Sequence, residues 1–523
     1  MQDAQKLTNN QPSPDQEILA QARSLAMIHT RTVVGVNALP VIVEVHLANG
    51  LPMFSTVGLP EAAVKESKDR VRGAILNSGF EFPAKRITVN LSPADLPKTG
   101  SRFDLPIAIG ILAASGQVPS AALNGFEFVG ELALDGQLRK IAGVLPTALA
   151  CGGTDRELIV PTANAEEAAL AEHTDSRHAP HLLTVCRHLA GHAEMDICIQ
   201  AKRVPGFTDY PDLCDVKGQA QAKRALEIAA SGGHSLLFMG PPGAGKSMLA
   251  SRLPGILPEL NTDEALQAAA IQSVANGDFD IANWKQRPFR NPHHSASSVA
   301  LVGGGSHPRP GEISLAHKGI LFLDELTEFS RATLEQLREP LETGKINIAR
   351  ASQSAQYPAE FMLIAACNPC PCGYLNDGTD RCSCSVGKVD NYRAKLSGPM
   401  LDRIDMHVHL PRVSTKELQA IDPNIERSEQ VKNRVDKVRL IQDRRQGRQN
   451  SRLEGAMLEQ QCRLDEPTKQ FLELAGDRLH LSARAYHRIL KLARTIADMA
   501  DVERIAKLHV SEAIAYRSLD RRV

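Results

Sequence analysis

The run Gly240, Pro241, Pro242, Gly243, Ala244, Gly245, Lys246, Ser247 sets glycines, a lysine and a hydroxyl at the spacing of a phosphate-binding loop. Glycine lets successive backbone N–H groups turn inward and wrap phosphate oxygens at a helix N-terminus. Lys246 then offers a cation to the terminal phosphates, and Ser247 a hydroxyl to Mg²⁺. A glycine-rich turn can match this pattern by chance. Here an apolar run, Ser235–Met239, leads in and a helical run, Gly245–Leu253, leads out. Strand, loop and helix in that order point to ATP and Mg²⁺ as cofactors.

A second apolar run, Gly319–Leu323, ends in Asp324 and Glu325. A strand ending in two acids places Asp324 at a sheet edge to hold Mg²⁺, and Glu325 to orient and deprotonate the attacking water. A third run, Phe361–Ala366, ends close to Asn368, a neutral amide able to sense the γ-phosphate. An Asn before Pro is otherwise a turn former. Arg403, in Ser397–Val408, has the chemistry to reach a neighbouring subunit's nucleotide and stabilise transition-state charge. An internal salt bridge with Asp402 or Asp405 is the alternative. These parts together predict an ATP hydrolase.

The elements that must carry them fit a chain of 523 residues, too long for one core. Lys+Arg and Asp+Glu balance at 60 each, which excludes a uniformly basic coat but not a local basic pore. No run approaches the ~20 apolar residues of a membrane span. The polar start has no apolar core for a signal peptide, so a cytoplasmic protein with a disordered tail at 1–22 is expected. Thr32–Leu47 reads as strands around a Pro turn, Glu61–Asn77 as a helix and Lys85–Leu91 as a strand. Phe103–Ala114 is apolar and helical, and Val129–Ile141 resembles a hairpin turning on Asp135-Gly136. These predict a mixed α/β domain over 23–190 and a linker over 191–212. A doubly wound α/β core over 213–411 and an all-α domain over 412–523 follow.

The chain resembles the YifB/ComM branch of the AAA+ ATPases related to the magnesium-chelatase I subunit. The resemblance rests on Asp215–Leu226, Gly240–Ser247, Arg287–His294, Ile320–Leu326, Cys367–Gly373, Ser397–Val408 and Leu481–Met499. It implies a hexameric DNA helicase that drives branch migration during recombination of incoming DNA in natural transformation. It also implies that Asn368 is the first sensor, Arg403 the trans-acting finger and Arg484 the second sensor, on a C-terminal lid that reaches back to the phosphates. The N-terminal domain is similar to the Lon-protease fold. An ungapped match puts Arg102 at that family's nucleophile and Leu145 at its base, with Ser101 one residue off. A Ser–Lys dyad needs both groups in hydrogen-bond reach, so no peptidase activity is expected.

Between the first helices and Asp324, Trp284–His317 is a long insert, and such inserts project into the ring pore in related ATPases. Arg287, Arg290, His293 and His294 there, and Lys345 and Arg350 in an expected hairpin over Glu342–Ser354, are candidate contacts for DNA phosphates. Val431–Arg452 sets eight basic residues against two acidic ones, as a DNA contact or a solvated loop. Of ten cysteines, five lie between Cys367 and Cys384. Cys370, Cys372, Cys382 and Cys384 form a C-x-C and C-x-C set suited to a structural Zn²⁺, with reduced thiols in a loop as the alternative, while Cys367 is expected in the core. A chelatase-type ATPase that remodels a protein partner is the competing function. The fused N-terminal domain and the cysteine loop argue against it.

Overall fold

The computed structural model describes residues 24–200, 210–276, 280–305, 308–349, 354–396, 398–419 and 425–517. The expected tail at 1–22, the middle of the expected linker and Arg350 lie outside the described residues. Backbone packing divides the chain into two compact units. One comprises Met1–Val204, Ala269–Asn283 and Ala351–Ala355, and the other Pro205–Ala268, Trp284–Arg350 and Gln356–Val523.

The first unit is built on strands β1 (Leu25–Val34), β2 (Asn37–Ala48), β3 (Met53–Val57), β4 (Arg86–Ser92) and β5 (Phe126–Phe128). A small hairpin, β6 (Glu131–Leu132) and β7 (Leu138–Arg139), is followed by β8 (Glu157–Pro161) and β9 (Ser176–Ala179). Seven of these form one sheet in the order β3-β4-β2-β1-β5-β8-β9. The hairpin turns where expected, with Gly136 at φ +91°. The expected Pro turn is corrected. The chain reverses at Gly35, φ +63°, and Pro40 lies inside β2 opposite Arg31. Pairing with β4 reaches only Ile42, so Pro40 occupies an edge position where a missing N–H is tolerated.

Alternation along β2 buries Val41, Val43, Val45 and Leu47. Against them lies the helix Asp104–Ala114, buried on every side. Its Gly110 permits the close approach, since a Cβ there would lie 2.5 Å from Val45 Cγ2 and 2.7 Å from Ile28 Cδ1. Arg102 is buried and donates to the carbonyls of Ala142 and Arg31 and to Thr147 Oγ1. Leu145 is fully buried, and Ser101 Oγ donates to Glu131.

The second unit carries a parallel sheet in the order β11-β14-β17-β10-β18. Its strands are β10 (Leu236–Met239), β11 (Phe289–Arg290), β14 (Ile320–Leu323), β17 (Met362–Cys367) and β18 (Met406–His409). Two hairpins, β12 (Gly303–Gly304) with β13 (Arg309–Pro310) and β15 (Lys345–Ala349) with β16 (Ser354–Pro358), stand apart from it. The second begins later than Glu342 because the helix Arg338–Thr343 runs to Gly344, whose φ of +69° caps it. The helix expected over Gly245–Leu253 ends at Ala250, and a 3₁₀ turn over Leu253–Ile256 follows, with Pro254 inside it. Strand β18 is an addition that the short run ahead of His409 did not announce.

Beyond Ser414 the described residues form helices, the longest being Ser428–Gln446, Glu466–Leu479 and Ala483–Met499. Val431–Arg452 is therefore helical over most of its length rather than a solvated loop. Ile489, Leu492, Ala493 and Ile496 of the helix Ala483–Met499 share one core with Leu236, Phe238 and Val408 of the sheet. Buried Asp405 joins the two: it accepts from Ser235 N at 3.0 Å, and Arg488 of that helix pairs with it. Burial opposes its charge, but Arg488 and His234 hold its pKa far below the usual carboxylate range. No helix among the described residues is long and apolar enough to cross a membrane.

Gly110→Val forces β-branched atoms into Val45 and Ile28, so the first unit should lose about 1–3 kcal/mol. Thermal unfolding should show its transition moved down; an unmoved transition would refute the close approach.

Candidate nucleotide site

Strands β10, β14 and β17 run parallel in near-level register: Met239 pairs with Cys367 and Leu323 with Ala365. The loops leaving their C-terminal ends therefore emerge together, as open α/β sheets require of a ligand site. Gly240 begins one, Asp324 the next, and Asn368 the third. Gly243 and Gly245 hold φ of +76° and +90°, a conformation that disfavours side chains, and open space lies where a Cβ would project from each. The glycine-rich backbone thus turns around a cradle that phosphate oxygens fit.

Lys246 Nζ donates to Gly240 O at 2.8 Å, to Pro241 O at 3.1 Å and to Asn368 Oδ1 at 3.0 Å. Burial lowers its pKa, against the opposing pull of Asp324, Cys367 and Glu325. An ammonium partly stripped of water interacts strongly with an anion brought beside it. Ser247 Oγ lies 2.5 Å from Asp324 Oδ2, so the two expected Mg²⁺ oxygens converge. The Asp324 carboxylate is itself anchored by the Glu325 backbone N–H at 2.9 Å. Hard oxygens at one point beside a phosphate cradle fit Mg²⁺. Gln219, which sequence reasoning passed over, braces the loop by donating to Ala244 O at 3.1 Å and Pro411 O at 2.9 Å.

Glu325 and Asn368 also line a cavity of 610 Å³ together with Lys388, Asn391 and Lys395. These three come from the helix Val386–Ala394 and its end, a short polar run without a motif to mark it. Arg403 and Arg484 meet elsewhere. Arg403 Nη2 lies 2.6 Å from Glu342 Oε1, and Arg484 Nη2 lies 3.7 Å from the same oxygen. The alternative partners Asp402 and Asp405 are not used by Arg403: Asp405 is taken by Arg488. Both arginines are brought together on one carboxylate, and neither makes a hydrogen bond or ion pair to the phosphate loop.

The candidate DNA contacts separate by burial. Arg287 turns inward, donating to Pro258 O at 2.6 Å and Lys318 O at 2.7 Å. Arg290 is held two-pronged by Glu312, at 2.6 and 2.7 Å. Lys345 is exposed on its hairpin, as is Arg309 on the other. The rings of His293 and His294 lie with centroids 4.1 Å apart and tilted by 33°, and His294 Nδ1 lies 3.0 Å from Glu325 Oε2. In the basic helix, Arg434 pairs with Glu227 and Glu426, Arg445 with Asp498, and half-buried Arg439 donates to Ala230 O. Much of that positive charge is spent inside the unit.

Cys370, Cys372, Cys382 and Cys384 bring their sulfurs within 4.8 Å of one another. Three of the separations are 3.3, 3.8 and 3.6 Å. Four thiolates around Zn²⁺ at about 2.3 Å stand about 3.8 Å apart, so the set fits a tetrahedral ion. Cys372 is drawn down to about 6 by the Tyr374 backbone N–H and the Cys370 thiol. Cys367, by contrast, is pushed up to about 12 by burial and stays a core thiol. The loop backs onto the phosphate site: a Cβ on Gly373 would lie 2.6 Å from Pro242 Cδ.

Comparison with known proteins places these residues in context. Residues 212–418 match the family described as magnesium chelatase, subunit ChlI. Residues 43–164 match subunit ChlI of Mg-chelatase, and 425–517 its C-terminal part. Competence protein ComM of Haemophilus influenzae is 50% identical over 95% of this chain and 98% of its own. YifB of Salmonella typhimurium is 50% identical over the same shares. The magnesium-chelatase 67 kDa subunit of Chlorobaculum parvum is 26% identical, over 30% of this chain and 23% of its own.

Glu325→Gln should keep nucleotide binding while its steady-state rate of phosphate release falls by about 10²–10⁴; full activity would remove Glu325 from the chemistry. Metal analysis should find one zinc per chain, lost in the Cys372→Ser/Cys382→Ser variant. Equal metal in both would show that the thiols bind none.

Proposed function

The chain belongs to the YifB/ComM family of magnesium-chelatase-like AAA+ proteins, and from that premise we propose that it is an ATP-driven ring motor, a hexamer acting on DNA. The observation that carries the reading is a division of parts. Lys246, Ser247, Asp324, Glu325 and Asn368 gather at one sheet edge, while Arg403 and Arg484 gather on Glu342. A second copy whose arginines face the first copy's phosphate cradle completes the site.

Each residue then has a task. The loop 240–247 and Lys246 grip the β- and γ-phosphates, and Ser247 and Asp324 hold Mg²⁺, which neutralises charge on the phosphate oxygens. Glu325 accepts the proton of the attacking water, and Asn368, already tied to Lys246, orients it. Arg403 of one copy stabilises the developing charge in the next. Arg484 acts with it across the interface, in place of the reach back to its own phosphates implied by sequence resemblance.

DNA enters through family and surface. The relative named a competence protein supports a role in handling incoming DNA during transformation, and the exposed cations Lys345 and Arg309 on the two hairpins suit phosphate contact. The alternative, remodelling of a protein partner, draws on the magnesium-chelatase matches. The N-terminal unit is read as a Lon-like scaffold without peptidase chemistry, because Arg102 and Leu145 are sealed in its core.

Two measurements check this reading. Purified chain with ATP should displace a strand or migrate the branch of a four-way DNA; ATPase without either would contradict the DNA motor. Lys246→Ala and Arg403→Ala chains should each be inactive, yet hydrolyse ATP when mixed, because some interfaces then hold both intact halves. A mixture as inactive as its parts would contradict the shared site.

A further inference from the structure

Arg403 and Arg484 reach Glu342 from distant stretches of chain, and the cause of their meeting lies one step further in. Arg484 sits in the first turn of the helix Ala483–Met499, and Arg488 follows one turn later on the same face. Arg488 Nη1 donates to Asp405 Oδ1, and Asp405 stands two residues after Arg403. Fixing Arg488 on Asp405 therefore sets the start of that helix beside the segment that carries Arg403.

That segment is fastened along its backbone. Ser235 N donates to Asp405 Oδ2 at 3.0 Å, while Ser235 Oγ donates to Arg403 O at 3.2 Å and accepts from Asp405 N at 2.8 Å. One hydroxyl can do both, having a donor and free lone pairs. Arg517 Nη1 donates to Ile404 O. On the helix side, fully buried His234 places Nδ1 3.4 Å from Asp405 Oδ2 and Nε2 2.7 Å from Thr495 Oγ1. Thr495 lies two turns beyond Arg488, so the helix is gripped at two points along one face.

Ser235 also stands at the head of β10, whose other end is followed directly by Gly240. One short strand thus carries the phosphate loop at one end and the anchor of Arg403 at the other. We propose that Asp405 and Arg488 are positioning residues for the half of the site that one copy offers the next: their ion pair holds Arg403 and Arg484 in the common orientation from which they meet the neighbour's nucleotide. The shared-site reading above is the premise of this assignment, and neither positioning residue touches nucleotide in it.

The test is complementation between full-length chains, with ATP turnover read on equimolar mixtures and nucleotide binding read on each chain alone. Arg488→Ala should bind ATP with unchanged KM while its kcat falls about 10- to 100-fold, the scale on which misplaced groups lose rate. Arg488→Lys, which keeps a cation beside Asp405, should recover part of that loss. Asp405→Asn, which keeps an acceptor for Ser235 N but gives up the ion pair, should behave as Arg488→Ala does. Mixed with Lys246→Ala, whose arginines are intact, Arg488→Ala should regain turnover; mixed with Arg403→Ala, it should not. Wild-type kcat in Arg488→Ala or Asp405→Asn overturns the proposal, as does turnover regained with Arg403→Ala. Loss of nucleotide binding in both Arg488 variants also overturns it, since Arg488 would then serve the fold alone. If Lys246→Ala recovers with Arg403→Ala but not with Arg488→Ala, the assignment falls and the shared site stands. If neither mixture recovers, the shared-site reading falls and takes the assignment with it.

Discussion

The structure of the nucleotide site depends on a single constraint of register. Strands β10, β14 and β17 are short, apolar and parallel, and hydrogen bonding sets Met239 beside Cys367 and Leu323 beside Ala365. With the strands level, the residues just past their ends have one edge on which to meet. A slip of one residue in β17 would turn its alternating side chains to the opposite face and carry Asn368 away from Lys246. The burial of Leu236, Phe238, Ile320, Phe322 and Ile364 in one core is what resists that slip.

Around this edge, charged groups are used in two distinct ways. Some are spent on architecture: Arg287 and Arg439 satisfy buried carbonyls, and Asp405 gathers Ser235 and Arg488 to dock the last long helix on the sheet. Burial disfavours the charge on both arginines, and losing a carbonyl partner would leave an uncompensated group, so these are points of fragility. Others stay exposed: Lys345, Arg309 and Arg484, the last beside Glu342, which also holds the buried Arg403.

Much of this was legible in the sequence, for physical reasons. The phosphate loop carries its conformation in its glycines, and Asp324 and Asn368 could be placed because each ends an apolar run. The cysteine set was visible from spacing alone. What the sequence hid was partnership across space. Nothing local to Arg287 says that its donors point inward, and nothing near Glu342 says that two arginines will share its oxygen. His294 is the clearest case, since a histidine in a basic run reads as a surface contact until β11 is known to pair with β14. Strand β18 escaped notice because four residues after a charged turn carry too little periodicity.

The central claim is that one chain grips the nucleotide and a second completes the site. ATP turnover per chain, followed as the protein is diluted from assembled to single chains, tests it most directly. Turnover per chain should collapse along with assembly while nucleotide binding persists. Single chains that hydrolyse ATP at the full rate would contradict it.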